Sequence, residues 1–278
     1  MRVDSYAKIN WSLRVTGKRA DGYHDLETLF QSISLHDTLT FTESDRLVLT
    51  CDDPSIPTDE TNLIIRAARL LAAPPVAIEL QKRIPAGGGL GGGSSNAAAT
   101  LSALNDLFDL DYSSLDLFDM SYSLGSDVPF FFLGGTQYAT GRGERLEPMP
   151  EVPGIPLLLL LPEERVMTAD AFRMLRRFSS PLGIDRYRLM VEDLLSHGEE
   201  LINDFEEPIF AALPRLGELR ARLARAGAAW ARMSGSGSTI VGAFRSTTAR
   251  DAAMSQFDDV RAVAAETITS ELASSFLS

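Results

Sequence analysis

The chain has 278 residues, room for one large or two modest domains, and its 45% hydrophobic and 23% charged residues are those of an ordinary globular protein. A net charge of −12 argues against non-specific nucleic-acid or acidic-membrane binding. The single cysteine, Cys51, rules out an internal disulfide, and the three histidines (His24, His36, His197) lack metal-ligand spacing. MRVDSYAKIN does not read as a signal peptide, and no apolar run approaches the roughly 20 residues of a membrane span, so a cytoplasmic, reduced setting is expected.

Residues 3–15 alternate with period two. Val3, Ala7, Ile9, Trp11, Leu13 and Val15 share one face, and Asp4, Tyr6, Lys8, Asn10, Ser12 and Arg14 share the other, as in a half-buried strand. On this reading Lys8 and Asn10 point the same way, either into a site or into solvent. Lysine is used sparingly: three of 26 basic residues (Lys8, Lys18, Lys82), which modestly favours each as a chosen point charge. The pair Asp21-Gly22 signals a turn that presents Tyr23 and His24 where a strand resumes. They are either an aromatic and an imidazole offered to a planar base, or one core tyrosine and one surface histidine. LETLFQSISL, DTLTF and DRLVLTC then read as strands.

After a polar loop at 53–59, Thr61 or Asn62 caps a helix over LIIRAARLLA with Leu63, Ala67, Leu70 and Leu71 as its apolar positions. The strand VAIELQKRI carries Lys82 toward PAGGGLGGGSSNAAATL, Pro85 to Leu101. Six of the chain's 21 glycines fall within Gly87–Gly93, so glycine is a local demand there. Ser94, Ser95 and Asn96 are good N-caps, and Leu101, Leu104 and Phe108 follow at helical spacing. A glycine loop running into a helix N-terminus aims backbone N–H groups at an anion, phosphate above all. No Lys follows the glycines, so the loop is no Walker P-loop. Gly87, Gly89 and Gly92 fit G-x-G-x-x-G, with Asp109 as an acid downstream, but about 80 residues precede them, against the expected place after a first strand. A flexible linker would not lead at once into a capped amphipathic helix.

A further helix is expected over 114–124, ending at Gly125, then a turn at Ser126-Asp127 before an apolar strand VPFFFL. This places Asp127 at a partly desolvated junction, as a functional carboxylate or a turn-stabilising one. GGTQYATGRGERLEPM reads as a hairpin. Pro150, Pro153 and Pro156 mark a boundary, giving domains 1–152 and 153–278. The second opens with a buried strand IPLLLLL, then helices over 168–178, 185–196, 206–212 and 214–226. AAWARMSGSGSTIVGAF is strand, small-residue loop and strand; Ser246 caps a helix, and VRAVAAETI is a last strand.

AKIN (7–10), RADGYHDLETLFQSISLHDTL (19–39), NLIIRAARLL (62–71), PAGGGLGGGSSNAA (85–98), LGSDVPFF (124–131), GRGE (141–144), NDFE (203–206) and MSGSGS (233–238) carry a nearly full-length resemblance. The chain resembles the GHMP superfamily of small-molecule kinases. Within it, DGYH with AKIN and GSDVPFF resemble the branch that phosphorylates the 2-hydroxyl of a cytidine-diphosphate methylerythritol on the non-mevalonate route to isoprenoids. The resemblance implies an α/β (α+β) GHMP kinase fold, with an N-terminal domain like domain 2 of ribosomal protein S5, a ferredoxin-like C-terminal domain, and ATP with Mg²⁺.

It further implies residue roles. ATP would contact Pro85, Gly87, Gly88, Gly89, Leu90, Gly91, Gly92, Gly93, Ser94 and Ser95, with Ser94 reaching the metal and Asn62 and Lys82 lining the adenine pocket. Asp127 matches the catalytic base and Lys8 the lysine beside it. Tyr23 and Phe172 would sandwich the cytosine and His24 bond its edge, with Asn10, Gly235, Ser236 and Gly237 also on the substrate. The expected partner is a small molecule, without nucleic acid or membrane, for a monomer or homodimer. A homoserine, mevalonate or sugar kinase of the superfamily has no base to stack on DGYH. A dinucleotide-dependent oxidoreductase needs the glycines elsewhere, and an RNA-binding protein of the same N-terminal fold needs a basic stripe.

Overall fold

The computed structural model describes residues 1–275. The spine of the first sheet is β2 (His24–Glu43), antiparallel to β1 (Arg2–Lys18) in a register running from Arg2↔Thr40 to Lys18↔His24. Its other edge pairs with β5 (Thr136–Gly141) through Leu26–Gln31 and with β4 (Val76–Gln81) through Thr38–Glu43. β3 (Val48–Cys51) lies parallel to β4, and β6 (Arg145–Pro148) completes the expected hairpin with β5. The two strands expected over 26–35 and 37–41 are one. His36-Asp37 offers neither glycine nor proline to break the strand, and both residues pair directly with β1 opposite Tyr6 and Ser5. Nor is β1 half-buried: Lys8, Asn10 and Ser12 on its polar face are as enclosed as Ile9 and Trp11 on the other.

Helix α1 (Leu63–Leu70) starts at Asn62, whose side chain accepts the Ile64 N–H. Its buried face is Ile64, Ile65, Ala67 and Ala68, which leaves Leu70 of the expected stripe exposed. Helix α2 (Gly92–Leu107) packs against α1 and β1 and begins before the expected caps. Gly91, at φ 71°, is the N-cap, so Ser94 and Ser95 lie inside the first turn. Helix α3 (Ser114–Ser121) opens with a capping box between Ser113 and Asp116 and stops short of Leu124. VPFFFL is not a strand but helix α4 (Val128–Leu133), packed on α2. Six apolar residues carry no decisive period, and Pro129 suits a first helical turn.

The second half is built on β7 (Pro156–Leu161), buried at all six residues. Helices α5 (Thr168–Met174), α6 (Ile184–Val191), α7 (Glu206–Ala212) and α8 (Pro214–Arg225) follow. The first two end earlier than their expected limits, at Met174 and Val191. Then come β8 (Trp230–Met233), β9 (Ile240–Ala243), α9 (Thr247–Met254, capped by Ser246), β10 (Arg261–Glu266) and an unanticipated α10 (Ser270–Ala273). The strands form an antiparallel sheet in the order β10-β7-β9-β8. The sheets share a core in which Ala7, Ile9, Trp11 and Leu29 meet Leu157, Leu159, Trp230 and Val241. The Trp11 and Trp230 rings touch edge-on at 4.7 Å.

Candidate active site

The outer edge of β1, not paired to β2, positions the site. Lys8 N–H donates to the Leu90 carbonyl at 3.0 Å, tying the glycine loop to β1. Further along, Leu13 N–H donates to Ile202 O at 2.8 Å, and Val15 N–H to the Asp204 carboxylate at 2.7 Å, tying the second half to the same edge. Asn203 Nδ2 in turn donates to the carbonyls of Met233 and Gly235 at 2.7 and 2.8 Å, fixing the small-residue loop. A cleft of about 980 Å³ opens between these attachments, lined from both halves.

The two loops meet backbone to backbone. Ser234 Oγ donates to Gly89 O at 2.9 Å, and Thr239 N–H to Gly88 O at 3.3 Å. Gly89 is at φ +76°, and a Cβ there would lie 2.0 Å from the Ser234 carbonyl oxygen, so only glycine fits. At Gly91 a Cβ would lie 2.7 Å from Phe131 Cζ and 3.1 Å from Lys8 Cγ. Beyond it, the Gly92 end of α2 and Ser94 face the cleft, where unpaired N–H groups suit an anion.

Lys8 and Asp127 come together there, with Nζ 3.6 Å from Oδ2. Asp127 sits at the start of α4 and is partly exposed, whereas Lys8 is buried. Lys8 Nζ also donates to Asn10 Oδ1 at 2.8 Å and stands 5.1 Å from the Phe30 ring centre. Asn10 is held by its donation to Thr28 Oγ1 at 2.7 Å. Burial pushes the Lys8 ammonium below its ordinary value, and the Asp127 charge and hydrogen bond pull the other way.

At the other end of the cleft, Tyr23 is 54% exposed with the Arg142 guanidinium 4.6 Å from its ring centre. His24 and Phe172 stack at 4.7 Å and 14°, with Phe178 tilted beside them. Burial, with a smaller contribution from Lys18, lowers the His24 pKa. The expected sandwich partners are therefore present but not paired: Phe172 covers His24, and Tyr23 carries an arginine. Pro85, Gly87 to Gly93, Ser94, Gly235 and Ser236 line the cleft, whereas Gly237 lies behind it and donates to Ser234 O.

Three expected contacts are engaged elsewhere. Ser95 is buried, its hydroxyl donating to Tyr6 O at 2.6 Å and accepting from Ser5. As the fourth residue of α2 it turns toward β1, away from the cleft. Asn62 caps α1, with its amide donating to Pro57 O. Lys82 Nζ is paired at 2.5 Å with Asp37, a fully buried carboxylate. Asp37 also accepts the N–H groups of Arg83 and Ile84 at 2.7 and 2.8 Å, and Asn96 Nδ2 at 3.1 Å. It thus ties the strand before the glycine loop to the helix after it. Asp37 and Arg142 escaped the sequence reading. The one signal for Asp37 was a charge inside an apolar strand; for Arg142 it was an arginine between two turn glycines. All three lysines belong here: Lys8 and Lys18 line the cleft, and Lys82 braces the loop from behind. Among the described residues no helix is long and apolar enough to cross a membrane, and no group of three or more His, Cys, Asp or Glu residues could hold a metal.

Comparison with known proteins adds the following. Residues 62–135 match the GHMP kinases N terminal domain, and residues 188–260 match GHMP kinases C terminal. A 4-diphosphocytidyl-2-C-methyl-D-erythritol kinase from Salinibacter ruber is 41% identical over 263 residues, 90% of this chain and 92% of the relative. One from Chlorobium phaeobacteroides is 38% identical, over 88% of this chain and 86% of its own length. A solved 4-(cytidine 5'-diphospho)-2C-methyl-D-erythritol kinase superposes with a TM-score of 0.84 at 37% identity, covering 96% of this chain and 99% of that one. Methanococcus jannaschii mevalonate kinase, at 14% identity, shares the fold with a TM-score of 0.69 over 97% of this chain and 98% of that one.

Proposed function

The chain belongs to the 4-diphosphocytidyl-2-C-methyl-D-erythritol kinases of the GHMP kinase family, and from that premise we propose how its residues transfer phosphate from ATP to the substrate's 2-hydroxyl. One observation carries the reading: the buried Lys8 ammonium meets the Asp127 carboxylate beside the glycine loop and the N-terminus of α2.

Phosphoryl transfer asks mostly for positioning and charge stabilisation. The N–H groups of the loop and of the first turn of α2 hold the ATP phosphates, drawing on the helix dipole. The Asp127 carboxylate accepts the proton of the attacking hydroxyl. The Lys8 ammonium, oriented by Asn10, pairs with that carboxylate and faces the charge that builds on the transferring group. Tyr23 and Phe172 take the cytosine between them once Phe172 leaves His24, freeing the imidazole to bond the edge of the base. Gly235 and Ser236 close the cleft from the second half, so the division into 1–152 and 153–278 separates the glycine-loop half from a closing half. Asn62, Lys82 and Ser95 act by holding α1, the loop and β1 in place.

A donor set without a carboxylate cage suits Mg²⁺, which keeps its waters and binds through one or two protein oxygens plus nucleotide phosphates. Ser94 Oγ, with Asp127 across the cleft, is the available oxygen pair, and the ion would neutralise phosphate charge. The test is a coupled ADP-release assay with the cytidine-diphosphate methylerythritol, homoserine and mevalonate offered in turn. Turnover is expected with the first alone; equal or greater turnover with either of the others would overturn the assignment.

A further inference from the structure

The cytidine substrate is a diphosphate diester, and the cations that would meet its negative linker are unassigned. Arg142 stands in the turn between β5 and β6 and is half-buried in the cleft wall. Its neighbour Gly143 abuts the catalytic end, since a Cβ there would lie 3.9 Å from Asp127 Oδ1. The Arg142 guanidinium reaches the opposite way, to 4.6 Å from the ring centre of Tyr23 at the base end. The adjacent residues Arg142 and Gly143 therefore span from the reacting carboxylate to the stacking platform. Among the described residues no carboxylate is within ion-pair distance of its guanidinium. Asp21 acts on it only at longer range, and the adjacent Glu144 side chain accepts the Arg142 backbone N–H. The other arginine lining the cleft, Arg173, differs: it is paired with Asp170. In a chain of net charge −12, an unpaired guanidinium in a cleft wall is poised for an anion.

We propose that Arg142 receives the diphosphate of the nucleotide substrate, linking the base held at Tyr23 to the hydroxyl presented to Asp127. This rests on the substrate reading above and adds a specificity-determining residue to it. A guanidinium matches two phosphate oxygens at once, and its cation–π contact with Tyr23 fixes its plane without consuming any N–H donor. A substrate with its base on Tyr23 and its alcohol at Asp127 has to pass this side chain with its linker.

The test is calorimetric titration of the full chain with CDP and with cytidine, the ATP site being filled by a non-hydrolysable analogue. Arg142→Gln is expected to weaken CDP about tenfold to hundredfold, the range for charge-assisted hydrogen bonds, and to leave cytidine within about twofold. Arg142→Lys, which keeps the charge but loses the fork, is expected to recover part of the CDP loss. Equal weakening of both ligands in Arg142→Gln would overturn the proposal, making Arg142 only a brace for Tyr23. Unchanged CDP affinity would overturn it too. If the unsubstituted protein bound neither ligand, both this proposal and the cytidine-substrate reading beneath it would fall.

Discussion

Lys8 and Asp127 stand 3.6 Å apart although one comes from the first strand and the other from the start of the fourth helix. β1 supplies the ammonium from its enclosed polar face, and Asn10, two residues on, holds it at 2.8 Å. Asp127→Asn keeps the shape and removes the proton acceptor. Its kcat is expected to fall at least ~100-fold with little change in the KM for ATP. Steady-state kinetics, with circular dichroism to establish folding, measures this; turnover near the original value in a folded variant would remove Asp127 from the base role.

The ammonium itself should titrate early. Burial lowers the Lys8 pKa below 10.5, and Asp127 opposes that shift through its charge and hydrogen bond. The folded value thus lies below the unfolded one, so on raising the pH the native state sheds this proton first. Between the two values the unfolded chain binds more protons, and this group's contribution to stability rises with pH. Activity, which uses the charged form, is expected to decline on the alkaline side before 10.5 is reached. With three lysines in the chain, lysine-selective NMR can follow Lys8 directly. In Asp127→Asn its titration is expected to move lower still; an upward move would contradict the assigned balance of forces.

Asp37 makes a separable prediction, because it braces the phosphate loop without lining the cleft. Asp37→Asn leaves the Lys82 ammonium, with 6% of its side chain exposed, facing a neutral amide. Breaking a buried pair by removing one charge costs about 3–5 kcal/mol. Urea unfolding is expected to show a loss of that order, together with a raised KM for ATP as the glycine loop loosens. A loss within about 0.5 kcal/mol, the range of ordinary surface changes, would show that the pair does not hold the loop.

Tyr23→Ala removes the exposed ring at the base end. Stacking on a base contributes about 1–3 kcal/mol, so the KM for the cytidine substrate is expected to rise about 5- to 150-fold while that for ATP stays near its original value. Equal effects on both substrates would mean that the ring supports the cleft as a whole.

Local rules foretold much of this site, and the failures are instructive. Alternation in residues 3–15 put Lys8 and Asn10 on one face, and the glycine run announced an anion-binding helix start. Whether that face met solvent or a cleft was not local information, because it depends on Gly91 and Gly235 arriving from far along the chain. Ser95 resembled a cap, yet a left-handed Gly91 started the helix earlier and turned Ser95 into β1. VPFFFL lacked a decisive period, so packing on α2 chose helix over strand. Asp37 acquired its importance only when β2, Lys82 and Asn96 met around it. Arg142 became visible only once its hairpin lay against Tyr23.

The central claim is transfer of a phosphoryl group to a carbon-bound hydroxyl held at Asp127 beside the glycine loop. Phosphorus-31 NMR of the cytidine-diphosphate methylerythritol incubated with ATP, Mg²⁺ and the protein tests it most directly. The account predicts a new phosphomonoester signal growing in step with ADP while the diphosphate signals of the substrate persist, and no such signal with Asp127→Asn. ATP consumed only to inorganic phosphate, cleavage of the substrate's diphosphate, or an undiminished monoester signal with Asp127→Asn would contradict it.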